Sequence, residues 1–103
     1  MNATLRTVIA DLKARHADSI KLMQAALFEK NIISIAGECR GIQYVITDIR
    51  FSQRHSLTDE DRQALALLED ELRAEQLVVQ EEAFARALKA HEHLNQGATN
   101  DAA

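Results

Sequence analysis

Along the first thirty residues, apolar side chains return every three or four positions. Leu5, Val8, Ile9, Leu12, His16, Ile20, Met23 and Leu27 form one stripe, which predicts an amphipathic helix over about residues 4–29. Asn2 or Thr4 is the expected N-cap, and "EKN" at 29–31 the expected turn, because Asn tolerates a left-handed backbone. A second stripe, Ile32, Ile35, Ala36, Cys39, Ile42, Ile46 and Ile49, predicts a helix over 32–50. Its β-branched content is compatible with a strand, but strict alternation is missing. "RFSQRHS" at 50–56 breaks the pattern and reads as a loop.

The third element opens with "SLTDEDR". Thr58 is the expected cap of a helix over 58–95, with Asp59, Glu60 and Asp61 in a first turn where the helix dipole favours anions. Asp61 stands where the acid of a capping box belongs. The stripe then runs Leu65, Leu68, Leu72, Val79, Ala83, Ala87, Ala90 and Leu94, with no breaker before Gly97. At 1.5 Å per residue such a helix is on the order of 55 Å long and overhangs the two before it. The sequence leaves open whether it bends near Glu75. The tail "GATNDAA", 97–103, reads as disordered. The expectation is an all-α single domain over 1–96: a helical hairpin followed by one long C-terminal helix, completed by oligomerisation. Leu65, Leu68, Leu72 and Val79, with Phe84 as an anchor, would supply the assembly face.

Composition supports helix throughout, since the 103 residues include no proline and three glycines. The single cysteine, Cys39, allows no intrachain disulfide, which fits a reducing compartment. No run of 18 apolar residues predicts a membrane span, and no basic-then-apolar N-terminus predicts a signal peptide. The net charge of −4 is unevenly spread. Residues 1–56 carry eight Lys/Arg and five Asp/Glu, whereas 57–103 carry four and eleven. This overall acidity argues against nucleic-acid binding, which needs a clustered basic face.

Two of the three glycines, Gly37 and Gly41, lie four apart inside the second helix, where each costs about 1 kcal/mol relative to alanine. Four apart, they share a face. With Ser34 and Val45 they would form a narrow groove that lets another backbone come close. That backbone could belong to the first helix or to another subunit. The order "GECRGIQYVI" resembles a Gly-Glu-x-Arg-Gly-apolar-x-Tyr stretch in short helical proteins encoded among the virion genes of tailed bacteriophages. Gly37, Glu38, Arg40, Gly41, Ile42 and Tyr44 carry the match, within residues 5–50; the long acidic third helix departs from it. The resemblance implies a small virion-associated or structural protein of the host cytoplasm or particle. Its partners would be further copies of itself and other virion or host proteins, and it implies no enzymatic activity.

Candidate chemistry is sparse. His91 and His93, two apart on a helix, point about 200° from one another and cannot easily share a metal; His55 stands in the loop. His16, on the apolar stripe of the first helix, reads as a satisfied or partly exposed interfacial histidine, and Cys39, on the stripe of the second, as a small buried hydrophobe. No phosphate-cradling glycine loop or nucleophilic triad is present, so neither cofactor nor metal is expected. A helical chorismate-mutase reading would enlist Arg6, Lys13, Arg40 and Arg50, but the first-helix spacing does not match. The alternative function is a small acidic inhibitor or adaptor, such as a counter-defence protein or antitoxin. Glu69, Asp70, Glu71, Glu75, Glu81 and Glu82 would then enter a basic cleft of a host protein.

Overall fold

The computed structural model describes the backbone of residues 1–53 and 56–102, and side chains among these as far as Glu92. Three helices account for almost all of it: α1 Ala3–Ala25, α2 Glu29–Ser52 and α3 Asp59–Ala102. The all-α arrangement of a hairpin plus one long helix agrees with the sequence pattern.

The helix starts follow local chemistry. Asn2 Oδ1 accepts from the Leu5 N–H at 2.7 Å and caps α1. Thr58 and Asp61 close a reciprocal capping box at α3: the Asp61 N–H donates to Thr58 Oγ1 at 3.1 Å, and the Thr58 N–H donates to Asp61 Oδ2 at 3.3 Å. The first turn between helices is displaced from its expected place. It lies at Ala26–Phe28, where Ala26 and Phe28 are extended, and Asn31 is already inside α2. Glu29 at the first position of α2 suits the dipole, and Phe28 O accepts from the N–H groups of Asn31 and Ile32. At the other end, α3 continues through Gly97 to Ala102 rather than ending at 95 in a disordered tail. One glycine costs about 1 kcal/mol in a helix, and no proline is present to stop it. Ala103 lies outside the described residues.

The helices run up, down and up. The Met1 ammonium lies 3.2 Å from Asp61, so the starts of α1 and α3 meet. At the opposite end, Arg86 of α3 reaches the end of α1. All three helices touch one another, and the rod measures 68 × 18 × 15 Å. Inward-facing positions alternate steps of four and three: Leu5, Ile9, Leu12, His16, Ser19, Met23 and Ala26 on α1; Ile32, Ala36, Cys39, Gln43, Ile46 and Arg50 on α2; Leu65, Glu69, Leu72, Gln76, Val79 and Ala83 on α3. This is the seven-residue repeat of a coiled coil, folded within one chain.

The core comes in two parts. One, around Met23, Ile32, Ala36, Cys39, Val79 and Ala83, sits towards the α1–α2 turn. The other, around Leu12, Ile46, Leu57, Leu65 and Leu72, sits at the open end. From His91, whose ring meets Phe28 edge-on at 5.9 Å beside the turn, the α3 backbone runs on to Ala102.

Candidate functional site

Between the two apolar clusters lies one polar layer, with a side chain from each helix. His16, Gln43 and Gln76 are all buried. Gln43 Nε2 donates to Gln76 Oε1 at 2.7 Å and lies 3.2 Å from His16 Nε2. A glutamine amide nitrogen only donates, so His16 Nε2 accepts and the neutral ring carries its proton on Nδ1. Among the described residues that Nδ1 finds no hydrogen-bond partner, and Glu75 Oε1 lies 3.9 Å from it. Gln76 Nε2 passes the chain on to Gln80 Oε1 at 3.1 Å. Burial lowers the His16 pKa by removing water from the imidazolium, and the Glu75 carboxylate opposes this in part. The Cys39 thiol, one layer away, is pushed up by burial and by the charges of Glu38 and Glu75. A raised thiol in an apolar layer is a poor nucleophile.

A second polar pair, between half-buried Arg50 and buried Glu69, joins α2 to α3. Arg50 Nη2 meets Glu69 Oε2 at 3.1 Å, while Arg50 Nε and Glu69 Oε1 lack hydrogen-bond partners among the described residues. The Arg50 guanidinium also covers the Phe51 ring at 4.8 Å. These groups hold helices in register. Among the described residues, no group of three or more His, Cys, Asp or Glu could hold a metal ion. Among the described residues no helix is long and apolar enough to cross a membrane. A groove of about 400 Å³ beside the α1–α2 turn is lined by Glu29, Phe84, Ala87, Leu88 and His91.

The residues singled out from the sequence fall into three groups. Leu65, Leu72 and Val79 are buried within the chain, and Leu68 and Phe84 pack partly buried against the same clusters. The hairpin therefore covers the face expected to pair with a second copy, because the stretch of α3 from Leu65 to Phe84 lies along both shorter helices. Gly37 and Gly41 face outward, and a Cβ added at either meets nothing within 4 Å. Close packing of α1 on α2 therefore does not explain them. Tyr44, on the same face, is 73% exposed. Of the six acids grouped as a partner face, Glu69 is 5% exposed and paired inward. Asp70, Glu71, Glu75, Glu81 and Glu82 are exposed. His91 is exposed, His16 is buried, and His55 and the side chain of His93 lie outside the described residues.

Sequence reasoning missed Gln43 and Gln76. A signal was present, because the α3 stripe jumps seven residues from Leu72 to Val79, and an inward position must lie between them.

Large apolar side chains stand outward on every helix. On α2 they are Ile33, Tyr44, Val45 and Phe51, and on α3 Leu67, Leu77, Val78 and Leu88. Compared with known proteins, the chain matches no family model, no curated protein and no solved structure.

Proposed function

We propose that this chain is a non-enzymatic structural or assembly protein that acts through helix–helix association, as a component of a phage particle. The observation that carries the reading is the outward face of α2. There two glycines weaken the helix with no compensating contact inside the chain, between the exposed side chains of Ile33 and Tyr44. Leaving such apolar surface in water forgoes about 25 cal/mol per Å², which association recovers. The phage setting comes from the resemblance of "GECRGIQYVI". The test is purification of particles from infected cells, with the chain detected in washed particles. Absence from particles, together with a monomeric mass in solution and no captured protein, would remove this reading.

A second reading rests on the acids of α3. Asp70, Glu71, Glu81 and Glu82 are exposed around Leu77 and Val78, a combination that suits a basic, partly apolar cleft. A host protein captured at low salt and released steeply as salt rises would favour this inhibitor or adaptor role.

A further inference from the structure

The outward face of α2 is complementary to itself when turned end for end. Successive helix positions turn about 100°, so Lys30, Gly37, Gly41 and Asp48 fall within about 40° of one line. All four are exposed. Ile33 and Tyr44 flank that line on one side, Ser34 and Val45 on the other, and these too are exposed. Lys30 and Asp48 lie nine residues before and nine after Cys39, and neither has an ion-pair partner among the described residues.

We propose that two copies of this chain pair back to back through α2, antiparallel, about a twofold axis level with Cys39. This deepens the assembly reading above and rests on it. In that register Lys30 stands opposite Asp48 of the second copy, and the symmetry makes the pair twice. Gly37 stands opposite Gly41 of the second copy, so the two backbones meet where no Cβ intervenes. Tyr44 lies beside Ile33 of the second copy on one flank, and Val45 beside Ser34 on the other. Such an isologous contact closes at two copies. A parallel pairing in register sets Lys30 against Lys30 and Asp48 against Asp48, which disfavours it. Glu38 and Arg40 lie about 80° from that line on opposite flanks, so at the rim of the contact each stands near its own counterpart across the axis. Between the charged ends, the groups within about 60° of the line are small or apolar, as the centre of a helix–helix interface requires.

The test measures solution mass by light scattering and sedimentation across a concentration series. It compares the unaltered chain with Gly41→Leu, Lys30→Asp, Asp48→Lys and the double variant K30D/D48K. Because a Cβ added at 41 meets nothing within 4 Å and leucine is a better helix former than glycine, Gly41→Leu should stay helical, which circular dichroism checks. We expect a dimer that Gly41→Leu abolishes. Each single charge reversal should raise the dissociation constant about tenfold or more, and the double reversal should restore it. A dimer unchanged in all four variants overturns the α2 contact while leaving assembly through another face intact. A chain that stays monomeric yet co-purifies with particles also overturns the dimer and leaves the virion reading standing. A dimer that breaks and recovers as expected, in a chain absent from particles, supports the contact and removes only the virion role.

Discussion

Gln43 and Gln76 share a 2.7 Å hydrogen bond in the middle of the bundle, and Gln43 also lies 3.2 Å from His16 Nε2. One amide thus ties all three helices at a single level, and truncating it strands acceptors on both neighbours. Gln43→Leu should destabilise the fold by about 2–4 kcal/mol, since each orphaned buried group costs about 1–3 kcal/mol. Replacing His16, Gln43 and Gln76 together with leucine removes the stranded partners within the layer, leaving only half-buried Gln80 without its donor, and should recover most of that loss. Urea unfolding of the single and triple variants measures the difference. A triple variant no more stable than Gln43→Leu would show that the layer acts by shape rather than by hydrogen bonding.

The same layer sets a pH dependence. Burial holds the folded His16 pKa below its ordinary value, so as pH falls the unfolded chain takes up the proton first. The unfolded state then binds more protons, and stability rises with pH. The His16 contribution is complete above about pH 6.5, the ordinary histidine value, and is lost as pH falls towards the lowered folded value. Urea midpoints should therefore drop as pH falls from about 6.5 towards the lowered folded value. His16→Leu, although less stable at neutral pH, should lose most of that slope. An equal slope in both proteins would place the titration elsewhere.

The outward glycines make a prediction of the opposite sign. Gly37→Ala and Gly41→Ala should each stabilise the isolated chain by about 1 kcal/mol, because alanine is the better helix former and nothing obstructs the added methyl. Thermal unfolding at low concentration, where association does not contribute, reads this directly. A loss of stability would reveal an intrachain contact at this face.

Arg86 supplies an end to α1 that the local sequence does not. No basic residue lies in the last turn of α1, yet Arg86 Nη2 donates to the carbonyls of Met23 and Ala26 at 3.0 Å each. Charged hydrogen bonds of this kind contribute about 1.5–3 kcal/mol when buried, and less at this half-buried site. Arg86→Ala should cost about 1–2 kcal/mol and speed amide exchange around 23–28. Unaltered exchange there would show that the turn is held by Phe28 and His91 alone.

Legibility from the sequence followed periodicity. The stripes through Leu12, Ile46, Leu65 and Leu72 marked helices and core together, and the capping chemistry of Thr58 placed the start of α3 within a residue. Val8 and Leu27, read as part of the α1 stripe, are exposed, because the inward set follows a 3.5-residue repeat that passes from Leu5 to Ile9 and from Met23 to Ala26. The polar members of that repeat, Gln43, Gln76 and Glu69, were invisible to a search for apolar residues. The turn at 26–28 was missed because nothing local marks it: its backbone is fixed by Arg86, sixty residues away. The outward face of α2 was legible as two glycines, but only the fold shows which way they point.

The polar layer also places two half-cores in series along the rod. The buried apolar side chains fall into two separate clusters on either side of it, which should give each half its own opening free energy. The half nearest the α1–α2 turn is closed by a short loop and by Arg86. The other half is held by the loop into α3 and by the Met1–Asp61 pair at the chain's first residue. Fraying should begin at that second end and halt at Gln43, leaving a population in which α3 is released over its first turns while its middle stays docked.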